Sequence, residues 1–360
     1  MYLILNIIAF LVSMSTSIVD VSIPMYLTEK YNVSKFSIGL SGFLINFSYT
    51  ITTFIFSKYE EEKIFPFTIF FIGLFYLLLS ALPWKVFLIS LLLIGFLFGR
   101  FWPNIQLSFR KTEPKHTGYF NISWSFGVII GFFLSGFIYS IRNSLPFIIS
   151  GLLLIILGIY FILFKKNHLS PIINKNNFEG IERKNINKKD IKDVRILNFL
   201  SYFAVGYSFF LFPRYGLEIK LSPKNISFLV SSLQVFNFLT FFLIRNKPVF
   251  KNKFFFPFAC FFFSLSFFLF LFLKKPVEFL IPFSIIGILS AISYHNSLIS
   301  HLKLGFKTEI HEFFIGLGSS MGPICCGFLS NMFEFKNTFL IVSSIYAFLG
   351  ICKLLFLKSN

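Results

Sequence analysis

The second half of this chain repeats the first, about 190 residues later. Ile23-Pro24-Met25-Tyr26 returns as Phe212-Pro213-Arg214-Tyr215. The run Gly95 to Gly99, followed by Asn104, returns as Gly287 to Ala291, followed by Asn296. Gly127, Gly131 and Gly136 recur as Gly318, Gly322 and Gly327 with identical spacing, and Thr117 and Thr308 open those two segments. Anchors at a nearly constant offset call for two copies of one structural unit. In a chain apolar enough for a bilayer, a repeat of this length points to secondary transporters.

The composition supports the bilayer. Hydrophobic residues make up 56% of the 360 residues and charged ones 13%, with 58 Phe. A soluble core cannot hide that much apolar surface, whereas lipid can. The net charge of +18 raises the question of nucleic acid. The basic residues, however, fall in short loops between apolar runs and form no stripe, so nucleic-acid binding is excluded. Cys260, Cys325, Cys326 and Cys352 lie inside apolar segments without metal spacing and read as small buried hydrophobes. No metal or cofactor site is expected. The first apolar run lacks a basic leader, so no cleavable signal peptide is expected.

Twelve spans of roughly 19 to 26 residues are long enough to cross about 30 Å of hydrocarbon. They cover approximately 2–26, 36–57, 64–82, 86–109, 117–140, 144–164, 195–213, 224–244, 254–273, 277–301, 308–333 and 336–357. The Lys- and Asn-rich stretch 165–194 reads as a flexible or partly helical linker. It divides an N-terminal six-helix bundle, 1–164, from a C-terminal one, 195–360. The expected class is an all-α membrane protein with twelve transmembrane helices in two pseudo-symmetric six-helix bundles. Lys and Arg are richer on the side that carries both termini, and the linker supplies most of that bias. Both termini are therefore expected in the cytoplasm, with the chain in the cell membrane.

Polar residues are unevenly spread. The third, sixth, ninth and twelfth spans are almost wholly Phe, Leu, Ile and small residues. The others carry polar stripes at helical spacing. These are Asn6, Ser13, Ser17 and Asp20; Gly42, Asn46, Tyr49 and Thr53; Arg100, Asn104 and Ser108; Ser227, Ser231 and Gln234; Ser293, Asn296 and Ser300; and Glu312, Gly316 and Ser319. Asn46 and Gln234 fall at matching positions of the two halves. A polar group in hydrocarbon is costly unless it faces protein or water. Eight helices around a wet centre, with four outer helices against lipid, satisfies that condition.

Several residues stand out as substrate or coupling candidates. Asp20 lies roughly 9 Å below the outer boundary at about 1.5 Å per residue. It suits a proton carrier or a partner for a substrate amine or hydroxyl; an interfacial carboxylate is the structural alternative. Arg100 lies about 13 Å from the cytoplasmic boundary and keeps its charge there, so it needs an acid, carbonyls or water. It either binds substrate or anchors helices. His295 and Glu312 fall at similar depths in adjacent helices, as a proton-exchanging pair or as a gate. Trp102, Trp124, Tyr207 and Tyr294 stack on a ring-bearing solute or simply pack. The repeated glycines let helices approach closely. Pro103, Pro282 and Pro323 are expected to kink or soften their helices.

With these features the chain resembles the major facilitator superfamily. Its best local match is Ile310-His311-Glu312-Phe313-Phe314-Ile315-Gly316-Leu317-Gly318, then Gly322-Pro323 and Gly327. That run is similar to the eleventh-helix signature of a poorly characterised prokaryotic branch. The resemblance implies two six-helix bundles, a cytoplasmic linker, and outer helices at positions three, six, nine and twelve. It also implies a substrate or coupling role for Arg100, because the family's fourth helix often carries an Arg in a run like Gly95 to Pro103. Two departures stand out. The loop after the second helix, Phe56 to Lys63, lacks the family's Gly and Asp-Arg elements, and Gly131 is followed by Phe132 where antiporters carry Gly-Pro. The function expected is a transporter of a small solute, with protons as a candidate coupling ion, acting as a monomer in the lipid bilayer. The alternatives are a membrane-embedded transferase, for which Glu60-Glu61-Glu62 is too lysine-flanked a motif, and a non-transporting sensor, for which the linker is too short and polar to hold a domain.

Overall fold

In the computed structural model the described residues are 2–56, 65–107, 114–164, 188–244, 253–303 and 308–358. They are helical apart from short connections. The helices are α1 (Tyr2–Tyr31), α2 (Lys35–Phe56), α3 (Phe65–Leu79), α4 (Trp84–Leu107), α5 (Pro114–Ile141), α6 (Leu145–Phe164), α7 (Lys188–Phe210), α8 (Phe212–Glu218), α9 (Pro223–Ile244), α10 (Phe255–Leu269), α11 (Leu280–Lys303) and α12 (Thr308–Lys358). Among the described residues, eight helices are long and apolar enough to cross a membrane, or nine when α7 and α8, bent by 43° at Leu211, count as one; adding the shorter apolar helices α3 and α10 and dividing α12 in two gives twelve segments. The break inside α12 is at Glu334, with φ 64° and ψ 168°. The helix runs on through Pro323, so the interruption lies eleven residues beyond the proline read as its weak point. α7 starts at Lys188, inside the stretch read as linker. α3 and α10 are 15 residues each, shorter than the spans expected there.

The repeat is visible in backbone detail. Asn32 (φ 46°) and Lys220 (φ 64°) both adopt the left-handed conformation that ends a helix. The amide after each bonds back into its helix, Val33 N to Leu27 O and Leu221 N to Gly216 O. Ser34 and Ser222 then cap the next helix, accepting from the amides of Ser37 (3.2 Å) and Asn225 (3.3 Å).

The two bundles have matching internal packing. α1 lies on α5, α2 on α4 and α3 on α6; α7 lies on the first part of α12, α9 on α11, and α10 on the second part of α12. The repeated glycines make equivalent contacts. Gly127 and Gly131 sit against the backbones of Phe10 and Met14, and Gly318 and Gly322 against those of Phe199 and Phe203. Gly95 meets the Ile45 carbonyl as Gly287 meets that of Leu233. A β-carbon at any of these would strike main chain, so small residues fix how closely the helices approach. The outer helices turn large apolar side chains outward: Phe67, Phe71 and Leu78 on α3, Leu152 and Ile156 on α6, Phe258 and Leu265 on α10, Phe348 and Leu355 on α12. Such faces are stable only against lipid. The chain is a multi-pass membrane protein.

Candidate functional site at the seam between the bundles

The bundles meet along two repeat-related seams, α5 against α9 and α12 against α2. At the end away from the termini both are tight. Gly136 lies on the Pro223 carbonyl and Ser227, and Gly327 on the Lys35 carbonyl and Gly39. Ser231 Oγ donates to the Ile129 carbonyl at 3.0 Å. An ion pair crosses the same end, Lys35 Nζ to Glu218 at 3.4 Å, and Arg214 holds Glu218 at 3.1 Å.

Towards the terminus side, the α2–α12 seam becomes polar. The Tyr49 hydroxyl of α2 donates to Glu312 Oε2 of α12 at 3.4 Å. One turn on, Gly316 of α12 makes room for Thr50. Tyr294 of α11 stacks on the ring of His311, the residue before Glu312, at 4.8 Å, and Tyr202 of α7 lies on the other side of Tyr294 in the chain of rings. The rings of Tyr202 and Tyr294 lie 6.3 Å apart. Four helices from both halves thus bring one carboxylate and three tyrosines together. All four residues are half-buried, whereas their chain neighbours Thr50, Ser201, Ser293 and His311 are buried.

Behind this group lies a polar chain within the C-terminal bundle, buried except for the half-buried Arg195. Arg195 Nε donates to His301 Nε2 at 3.1 Å, so the His301 proton sits on Nδ1 and goes to the Ser297 carbonyl at 2.8 Å. Ser297 Oγ lies 2.8 Å from His311 Nδ1, and Asn198 Nδ2 is 3.5 Å from the same nitrogen. His311 Nε2 and Asn198 Oδ1 have no hydrogen-bond partner. Tyr294 stacks edgewise on His311 at 4.8 Å, which ties the chain to the Glu312 group. Arg195, Asn198, Tyr202, His301 and His311 were not singled out as site residues in the sequence. His311 lies one position before Glu312, and the other four have no repeat partner or motif to mark them.

The remaining candidates are scattered over several helices. Ser13 and Ser17 of α1 face Gly127 and Gly131 of α5, so that stripe serves helix packing. Asp20, on the same face, is half-buried. Asn46 is half-buried and donates to the Gly42 carbonyl at 2.8 Å. Arg100 is half-buried on α4, beside Gly99, which packs on Tyr49 and Thr52 of α2. The Asn104 side chain lies outside the described residues. Trp124 is half-buried and its indole donates to Asn121 at 3.2 Å. Gln234 and Asn296 are buried, and His295 is half-buried. Tyr207 is wholly buried among Phe267, Phe270 and Phe339 and is a packing residue. Among the described residues, no group of three or more His, Cys, Asp or Glu could hold a metal ion.

Solved structures similar to this chain include transporters. The nucleoside transporter NupG matches at a TM-score of 0.75 and 12% identity, over 99% of both chains. A bacterial homologue of the human lysosomal transporter Spinster, inward-facing and occupied, matches at 0.71 and 12% identity, over 99% of this chain and 94% of that one. A POT family transporter in complex with 5-aminolevulinic acid matches at 0.75 and 12% identity, over 99% and 95%. At such identities the likeness speaks for the fold. No curated protein matches the chain. The family model of the Major Facilitator Superfamily covers residues 5–303. This chain is therefore a membrane transporter rather than an enzyme, and it belongs to the major facilitator superfamily.

Proposed function

We propose that this protein is a secondary active transporter that moves one small solute by alternating access, rocking residues 1–164 against 195–360 around the seam. The supporting observation is that both seams are tight at one end through repeat-related contacts, Gly136 on Pro223 and Gly327 on Lys35. Towards the other end the α2–α12 seam carries half-buried polar side chains. Two equivalent helix pairs closing one end of the seam suit a site that opens to each side in turn. Arg100, Asn46, Gln234 and Asn296 are proposed to line the path. The proton is the proposed coupling ion, since Asp20 and Glu312 are half-buried carboxylates within spans. The chain is proposed to act as a monomer in the cell membrane with both termini and the 165–194 linker in the cytoplasm, following the excess of Lys and Arg on that side.

The test is uptake into proteoliposomes of a solute that stabilises the purified protein, with and without an imposed pH gradient. Accumulation only with the gradient supports proton coupling, and equal equilibration in both overturns it. No uptake of any stabilising solute overturns the transporter mechanism in favour of a binding or sensing role. Labelling of a linker cysteine by an impermeant maleimide in intact cells would overturn the orientation.

A further inference from the structure

We propose that Tyr215 is the positioning residue for closure of the seam: it fixes α8 so that Glu218 and Phe335 together receive Lys35 from the other bundle. The proposal rests on the alternating-access reading and names the part that sets its closed end.

α8 needs something to hold it. It is seven residues long and stands beyond the 43° bend at Leu211, so α7 does not dictate its direction. A helix that short has little stability of its own. Yet it carries Glu218, which meets Lys35 of the N-terminal half at 3.4 Å. Tyr215 supplies the hold. Its hydroxyl donates to the Phe270 carbonyl, in the turn after α10, at 3.2 Å. Its ring is buried, 5.2 Å from Phe335 and 5.0 Å from Phe339 on the second part of α12. Glu218 follows about one turn along the same short helix. Phe335, the ring that Tyr215 braces, is also the ring over which Lys35 Nζ stands, at 4.6 Å. Tyr215 therefore supports both groups that Lys35 meets.

The repeat separates holding from closing. Tyr26 is the counterpart of Tyr215. Its hydroxyl donates to the Ser80 carbonyl, in the turn after α3, at 2.7 Å, and its ring lies 4.8 Å from Phe147. The same bond thus forms at the same place in the other half, where α1 is a single helix through Pro24. The charges at the tip of α1, however, stay within their own bundle. Glu29 accepts from Tyr139 at 2.7 Å, and Lys30 donates to the Tyr26 hydroxyl and the Ser80 carbonyl. Both tyrosines tie a helix tip to the neighbouring turn. Only Tyr215 aligns an acid and a ring that are engaged across the seam.

The experiment is labelling of the full-length protein in detergent by an impermeant maleimide. The target is a cysteine introduced at Ser227, which is buried against Gly136 on the other seam. Tyr215→Phe keeps the ring and removes the hydroxyl. It is expected to speed labelling about threefold, the effect of one hydrogen bond, and to add nothing to the increase given by Lys35→Glu. Tyr26→Phe removes the matching hydroxyl in the other half and is expected to leave the rate unchanged, which separates a role in closure from a loss of packing. Phe335→Leu carries the test, with the same expectations, if Tyr215→Phe does not fold. An unchanged rate in Tyr215→Phe overturns the proposal. Equal speeding by Tyr26→Phe overturns it too, because the hydroxyls would then serve packing alone. So does a Tyr215→Phe effect that multiplies with that of Lys35→Glu, or a Lys35→Glu variant that labels no faster than its parent. No solute takes part, so these outcomes stand apart from the uptake measurement that decides whether the protein transports.

Discussion

Gly39 of α2 and Gly327 of α12 meet backbone to backbone. A β-carbon on Gly327 would stand 3.0 Å from the Gly39 Cα, and one on Gly39 would stand 3.1 Å from the Gly327 Cα. Both distances are tighter than side chains ordinarily pack, and the same β-carbons would run into the carbonyl oxygens of Lys35, at 2.9 Å, and of Pro323. The seam therefore closes at this end only because neither residue has a side chain, as in other tight helix crossings within membranes.

The first prediction follows from that contact. Gly39→Leu is expected to fold, because overpacking costs about 1–3 kcal/mol, but to hold the two bundles apart. Uptake into proteoliposomes should fall to background while the protein elutes as a single species in size-exclusion chromatography. Unchanged uptake would show that the seam does not need this close approach.

The Lys35–Glu218 pair tests the same closure electrostatically. Its side chains are 19% and 34% exposed, so its worth to stability is small, about 0–1 kcal/mol. Lys35→Glu should leave folding intact and expose the seam. An introduced cysteine at Ser227, which is buried against Gly136, should then react faster with an impermeant maleimide. The charge swap Lys35→Glu with Glu218→Lys should restore slow labelling; labelling that stays fast would show that Arg214, which also contacts Glu218, and not Lys35, sets the closure.

Arg100 is half-buried in a span, where a guanidinium needs an acid, carbonyls or water around it. Arg100→Ala is expected to give a folded, membrane-inserted and inactive protein, and Arg100→Lys a weakly active or inactive one. Uptake and the unfolding midpoint are the two readouts. Loss of folding would make Arg100 a structural anchor, and normal uptake would make it a bystander.

Glu334 lies in a conformation that only glycine adopts without strain, φ 64° and ψ 168°. Glu334→Gly should stabilise the protein by about 1 kcal/mol, the low end of the strain such residues carry, and leave uptake unchanged. A fall in the unfolding midpoint would mean that the Glu334 side chain contributes more than its backbone costs.

Much of this architecture is legible in one dimension. Most of the spans follow from apolar run length against bilayer thickness, whereas α3 and α10, at 15 residues, fall short of it. The lipid-facing helices follow from composition, because Phe and Leu on every side suit only a lipid environment. The repeat-related glycines 127/131/136 and 318/322/327 announced equivalent close approaches, and the structure makes them. The left-handed turns at Asn32 and Lys220 lie close to the repeat offset.

The polar constellation was settled only in three dimensions. Helical spacing says that Ser13 and Ser17 share a face, but not that this face meets α5. It places Glu312 in a polar stripe, but not beside Tyr49, which is 263 residues away in sequence. Arg195, His301 and His311 become one hydrogen-bonded chain because α7, α11 and α12 rotate and settle against each other through Gly318 and Gly322. Periodicity reports how a residue sits on its own helix. Which helix that face meets depends on close backbone packing between distant segments, and a pattern read along the chain carries no term for it.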